Sequence, residues 1–264
     1  MHRTLAVICL LAAAPSLATA QERQGSTDFS WEGQIPQGSW IRVHNLNGEI
    51  SVEPSDGNVT RVRGVKRWRR GDPERVRFET IRDGNSVVIC ALWDEETTCE
   101  VDGPQRPRGH GDRNDRNDTS VEFTISLPRG VKVEVATVNG AVDVRGATDQ
   151  VEARTVNGRV EAATLRGPVN ASTVNGSIRV RMDALEGNER LNYSTVNGSI
   201  IVELPENFEA EVEMSTVNGS VRLDFPVTVT GRMNPRRLRG TIGKGGRRVE
   251  LSTVNGSIEL RKLS

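Results

Sequence analysis

The tetrapeptide Thr-Val-Asn-Gly occurs six times, at 137–140, 155–158, 173–176, 195–198, 216–219 and 253–256, and a weaker relative, Asn45-Leu46-Asn47-Gly48, stands upstream. Recurrence of one corner sequence restricts the chain to folds in which a single supersecondary unit is stacked or repeated. The copies are separated by 18, 18, 22, 21 and 37 residues. The last gap is about two units long, which predicts a degenerate further copy within 225–248.

Alignment of the copies on their glycines gives fixed apolar rows. Val133, Val151, Val169, Leu191, Val212 and Val249 stand seven residues before the glycine, and Val135, Ala153, Ala171, Tyr193, Met214 and Leu251 five before it. The residues between these rows are Glu134, Glu152, Asn170, Asn192, Glu213 and Glu250, all polar, which is the two-residue period of a strand with one buried face. After the glycine, Val142, Val160, Ile178, Ile200, Val221 and Ile258 begin a second inward row, continued by Val144, Ala162, Val180, Val202, Leu223 and Leu260. Each unit is therefore a strand, an Asn-Gly corner and a strand.

Two all-β folds accommodate this unit. Asn-Gly tolerates positive φ and is a strong signal for a tight hairpin, so six hairpins would make an antiparallel meander or barrel. Independent hairpins, however, would accept other turn pairs and would not need the same Thr and Val each time. A β-solenoid of 18–22-residue repeats stacks equivalent positions about 4.8 Å apart. It places Asn139, Asn157, Asn175, Asn197, Asn218 and Asn255 in a structural ladder beside the corner glycines Gly140, Gly158, Gly176, Gly198, Gly219 and Gly256. The solenoid is the leading expectation and the meander its alternative. Thr137, Thr155, Thr173, Thr195, Thr216 and Thr253 continue the inward parity, with stacked hydroxyls expected beside the amides.

Residues 1–20 have the pattern of a signal peptide: Arg3, an apolar run over 5–14, and Ala18-Thr19-Ala20 before a mature start at Gln21. No later stretch is apolar over the roughly 20 residues that a membrane helix needs, so no integral membrane segment is expected. Export places the two remaining cysteines, Cys90 and Cys99, in an oxidising compartment, periplasmic or extracellular, where an even count predicts a disulfide. A β-rich region spans 28–101 and is read as a cap on the first coil, because an uncovered solenoid end would recruit other chains. Residues 102–120, rich in Gly, Pro, Asp, Asn and Arg, read as a flexible loop, and the repeats fill 121–264. All four tryptophans, at 31, 40, 68 and 93, precede the repeats.

The residues give little support to catalysis. Lys+Arg and Asp+Glu are equal at 35 each, which leaves no global field to attract nucleic acid. Only His44 and His110 follow the leader, too few for a histidine triad or a zinc site, and no cofactor or metal is expected. Asp143 and Glu161 would be stacked neighbours on an outer face and are the one carboxylate pair that a polysaccharide-active enzyme could use, although the equivalent positions in other copies are Arg179, Ile201, Arg222 and Glu259. Arg61, Arg63, Lys66, Arg67, Arg69 and Arg70 around Trp68 form a candidate anionic-ligand patch. Arg236, Arg237, Arg239, Lys244, Arg247 and Arg248 are a second basic stretch. Asp112, Asp115 and Asp118 carry oxygens but lack the glycine and terminal Glu of a calcium loop.

Thr-Val-Asn-Gly-Ser-Ile recurring after an Asn-Leu-Asn-Gly segment resembles the bacterial putative-adhesin family of unknown function. The likeness covers roughly 29–262, is sharpest at 172–178, 194–200, 215–221 and 252–258, and leaves out 104–118. The resemblance implies a β-solenoid at the cell envelope or surface and supplies no catalytic residues. The expected function is thus an exported, non-enzymatic interaction or adhesion-like module, with an anionic envelope polymer or an envelope protein as partner. The alternative is a polysaccharide-active enzyme on the same scaffold.

Overall fold

A computed structural model of the chain describes residues 28–107, 117–229 and 234–263. The expected signal peptide at 1–20 and His110 lie outside the described residues. The chain winds between a 10-stranded and an 11-stranded sheet, with a small two-stranded sheet beside them. In one turn of the winding, Val151–Arg154 lies in the larger sheet, the Thr155-Val-Asn-Gly158 corner crosses over, and Val160–Thr164 lies in the other. The next turn repeats this directly alongside: Val151 pairs with Val169 and Val160 with Ile178, both in parallel. Hairpins would pair the two strands of one unit antiparallel, so the meander is excluded and the fold is a β-solenoid.

The inward rows form the core because alternate residues of every strand face the gap between the sheets. Val133, Val151, Val169, Leu191 and Val249 of one sheet and Val142, Val160, Ile178, Ile200 and Ile258 of the other are all at most 1% exposed. Tyr193 is the one ring within these rows. It is fully buried, and its neighbour in register, Ala171, leaves the volume it occupies. Other aromatics plug the ends. Phe29 stacks on Phe78 with centroids 4.7 Å apart and meets Phe123 edge-on at one end, and Phe208 packs edge-on against Phe225 at the other.

Spatial order departs from chain order at both ends. Naming each coil by its corner asparagine, the stack runs Asn47, Asn139, Asn157, Asn175, Asn197, Asn255, Asn218. The last copy in sequence is therefore inserted between the fourth and fifth: Arg248–Asn255 pairs in parallel with Leu191–Ser194 on one side and with Ala210–Asn218 on the other. The degenerate copy expected within 225–248 is not a coil. Val227–Val229 and Arg237–Ile242 pair antiparallel and cover the outer edge of Ala210–Asn218, so the long interval contains an end cap.

The opposite end is built the same way. Trp40–His44 and Ile50–Pro54 form a full coil paired in parallel with Lys132–Ala136 and Val142–Ala147. Beyond it lie Ser86–Leu92 and Ser120–Leu127, each parallel to that coil. Antiparallel strands then close the edges, Arg77–Asp83 in one sheet and Thr60–Arg67 with Asp28–Gly33 in the other. Residues on both sides of position 121 thus share the same two sheets.

Between Ser86–Leu92 and Ser120–Leu127 the chain forms a small hairpin, Thr98–Glu100 with Gly103–Gln105. A disulfide from Cys90 to Cys99, Cα–Cα 5.7 Å, ties this hairpin to the outer face of the larger sheet, where Val88, Leu92 and Ile81 form a second apolar cluster with the cysteines. Closing a short loop of this kind contributes about 2–3 kcal/mol. Replacing both cysteines with alanine should lower the urea-denaturation free energy by about that amount. An unchanged denaturation midpoint in the double variant would show that sheet contacts alone hold the hairpin.

Candidate functional site

Three residues of the repeated tetrapeptide have a visible architectural role. Each threonine is buried and donates its hydroxyl to a glycine carbonyl of the adjacent coil: Thr155 to Gly140 at 2.9 Å, Thr173 to Gly158 at 2.9 Å, Thr195 to Gly176 at 2.9 Å. The expected stacking of hydroxyl on hydroxyl is replaced by this bond, which satisfies the hydroxyl and a corner carbonyl together. The asparagines form an unbroken chain. Nδ2 of Asn139, Asn157, Asn175, Asn197, Asn255 and Asn218 each donates to Oδ1 of the preceding asparagine in the stack, so that Asn139 donates to Asn47 and Asn218 to Asn255, at 2.7–2.8 Å. Aligned amides of this kind polarise one another and fix the coil register.

The glycines are required for a different reason than the one their turn chemistry suggests. None of Gly140, Gly158, Gly176, Gly198 or Gly219 has positive φ. A Cβ on Gly158 would lie 2.0 Å from the carbonyl oxygen of Gly140, and one on Gly176 1.9 Å from that of Gly158. The corner backbones stack too closely for any side chain.

The valine has no such role. Val156, Val174, Val196 and Val254 are 37–39% exposed, Val217 is 56% exposed, and Leu46 of the weaker copy 38%. Val156, Val174, Val196, Val254 and Val217 stack in one exposed apolar column beside the asparagine ladder, about 20 Å long at the coil spacing, while Val138 is half-buried. From the coil of Asn175 onward the flanking residues are serines, Ser172, Ser194, Ser252 and Ser215 on one side and Ser177, Ser199, Ser257 and Ser220 on the other. Four successive coils therefore present a strip of Ser, Val and Asn without a charge. The signal for this face is in the sequence: the residue after an inward threonine must point outward, and here it is aliphatic every time.

The structure divides the basic patch. Along Thr60–Arg67 the pleat turns Lys66 inward, where its Nζ donates to the Pro73 carbonyl at 2.7 Å and sits over the Phe78 ring; burial lowers its pKa. Arg61, Arg63 and Arg67 face outward and pair with Glu32, Asp28 and Glu122 at 3.2–3.5 Å. Trp68 is 44% exposed, and the backbone amides of Arg69 and Arg70 donate to the Asp118 carboxylate, which also accepts from Gly71. Asp112 and Asp115 lie outside the described residues. In the second basic stretch Arg237 and Arg239 share Glu213 at 2.9 and 2.6 Å. Arg247 is buried and caps the carbonyls of Glu186, Gly187 and Glu189.

Asp143 and Glu161 are neighbours in register. Asp143 is mostly buried and held bidentately by Arg145, with both contacts at 3.0 Å, and Glu161 pairs with Arg159 at 3.8 Å. Both carboxylates are thus engaged by arginine.

His44 faces out from the larger sheet beneath the disulfide-tied hairpin and is 6% exposed. A Cβ on Gly103, which has φ +107°, would lie 3.0 Å from the imidazole, so the hairpin backbone rests on the ring. Burial, with smaller contributions from Arg154 and Arg42 against Asp102, lowers the His44 pKa from 6.5 to about 4. Between these values the unfolded chain binds a proton that the folded chain refuses, so stability falls as pH drops from 6.5 towards 4. The loss reaches about 3 kcal/mol at the low end and vanishes above about pH 7. Denaturation of wild type and His44→Leu at pH 7 and pH 4.5 measures it, because groups common to both cancel. Equal acid sensitivity in the two proteins would mean that His44 is not the group responsible.

Among solved structures, the chain matches a putative cell adhesion protein from Clostridium sporogenes at TM-score 0.52 and 11% identity, over 89% of this chain and 99% of that one. It also matches a putative adhesin from Bacteroides fragilis at TM-score 0.34 and 12% identity, over 89% and 97%. At these identities the first likeness establishes the fold alone. No curated protein matches the sequence. A family model described as toastrack, DUF4097, matches residues 34–261, so the chain belongs to the toastrack family.

Proposed function

We propose that the chain is an exported, non-enzymatic interaction module of the bacterial cell envelope and that its valine-lined edge is the contact face. The exposure of the repeated valine carries this reading. Thr, Asn and Gly in each copy are accounted for by bonds and close approach between coils, whereas the valine side chain makes no such bond and in five copies stays 37–56% exposed. An ordered apolar column on a rigid, charge-free strip is what a binding surface needs and a mere scaffold does not. The leader-like residues 1–20, the disulfide and the adhesion description of a protein with this fold support export and envelope location.

The test is binding of fluorescently labelled protein, without residues 1–20, to purified bacterial envelope vesicles. Wild type should bind saturably, and the triple variant Val174→Ser, Val196→Ser, Val254→Ser should lose most of that binding while its thermal midpoint stays within a few degrees. Equal binding by both proteins, or none by wild type, would remove the proposal. Incubation with pectin, alginate and glycosaminoglycans addresses the enzymatic alternative, since chain cleavage there would contradict a non-enzymatic role. Contact with an anionic polymer is a second reading that uses a different surface, the exposed Trp68 next to Arg69 and Arg70 in sequence. In the same assay it predicts salt-sensitive binding that Trp68→Ala weakens.

A further inference from the structure

A cavity of about 320 Å³ lies between the disulfide-tied hairpin and the first corners of the stack. Its apolar wall is Leu46, Ala91, Leu92, Trp93, Pro104 and Val138. That volume is at the lower end of the range for small-molecule sites, and a mostly apolar lining with few polar groups is their usual composition.

The polar groups on the wall are nearly all engaged. Asn45 donates to the carbonyls of Gly48 and Val121 and accepts from the Leu46 amide. The Thr97 hydroxyl and amide bind the Asp94 carboxylate at 2.8 and 2.7 Å, and the Thr137 hydroxyl binds the Gly48 carbonyl at 3.1 Å. The exception is His44, whose Nε2 is buried without a hydrogen-bond partner among the described residues. An unsatisfied buried polar atom costs about 1–3 kcal/mol and calls for a compensating role. The strand nearest the ring, Gly103–Gln105, rests on Cγ, Nδ1 and Cε1 of the imidazole and is held by a ladder of three residue pairs and the neighbouring disulfide, so a ligand in the cavity would reach Nε2 through a small shift of the ring against this backbone.

We propose that this cavity binds a small, uncharged, largely apolar molecule carrying one hydroxyl, an aromatic or alicyclic alcohol, with the hydroxyl bonded to Nε2 of His44. A hydroxyl both donates and accepts, so it satisfies the imidazole in either neutral tautomer. The apolar body replaces water against Leu92, Trp93 and Val138, and no charged group is needed. This proposal shares Leu46 and Val138 with the repeated edge but rests on different observations, the cavity and the unpartnered His44 Nε2.

The probe is 2-naphthol, titrated into the disulfide-bonded protein and followed by long-range ¹⁵N correlation of the histidine ring nitrogens, with Trp93 perturbation as a second readout. Saturable movement of the His44 Nε2 resonance is the expected result. Ala136→Trp, which places a ring at the cavity wall, should weaken binding by tenfold or more, and His44→Phe should weaken it about five- to tenfold through loss of one hydrogen bond. Wild-type protein whose His44 resonance does not move, or undiminished binding in a folded Ala136→Trp variant, would overturn the proposal. Because the wild-type spectrum decides on its own, a variant that failed to fold would leave the test intact.

Discussion

Gly176→Ala is expected to destabilise the protein by about 3–5 kcal/mol, as much as a severe core substitution. The new methyl would sit 1.9 Å from the Gly158 carbonyl oxygen, an atom of fixed backbone that cannot rotate away. Relief requires the two corners to part, and parting them lengthens the Asn175–Asn157 amide bond and the Thr173–Gly158 bond together. Gly57→Ala is the control. Its methyl would meet only Ser55 Oγ and the Val59 amide nitrogen, both at 4.0 Å, and it should change stability by less than about 0.5 kcal/mol. Urea denaturation of both variants followed by tryptophan fluorescence gives the comparison. Equal stabilities would show that the corners can separate freely and that the stacked edge is not rigid.

The same corner shows how much was legible in advance. Alternation of apolar and polar residues set both inward rows correctly, because the pleat leaves a strand residue only two directions. Identity of the tetrapeptide pointed to contact between copies, and the ladder has that contact. The glycine rationale was incomplete, since close stacking is a relation between coils that no single tetrapeptide displays. The order of coils was not legible for a related reason. Asn255 presents to Asn197 the same amide that Asn218 would, and Val249 and Leu251 offer Leu191 and Tyr193 the same kind of side chain as Val212 and Met214. Local pattern cannot choose between equivalent partners. The basic patch shows the opposite limit: proximity in sequence groups seven residues, yet the pleat sends Lys66 inward while Glu32, Asp28 and Glu122 arrive from neighbouring strands to pair three of the arginines. The His44 cavity depends on a hairpin almost 60 residues away, a relation periodicity does not encode.

Truncation after Gly246 is expected to unfold the C-terminal end of the solenoid, including residues that precede the cut by more than 25 positions. The deleted segment supplies Val249, Leu251, Ile258 and Leu260, all at 0% exposure, and their burial contributes about 6–12 kcal/mol, comparable to the whole stability of a domain. It also removes Arg247, which caps three carbonyls of the 186–189 turn. In a one-dimensional stack the loss stays near the missing coil. Amide exchange should therefore remain slow through the coils of Asn139, Asn157 and Asn175 and become fast over 210–223, whose parallel partner has gone. Slow exchange retained over 210–223 would mean that this coil had moved down onto 191–204, and the inserted order would then be a preference rather than a requirement. If exchange is lost as expected, a constraint on assembly follows. The coils of Asn197 and Asn218 are joined directly in sequence but separated by one coil in space, so the gap between them must stay open until the last residues of the chain arrive to fill it.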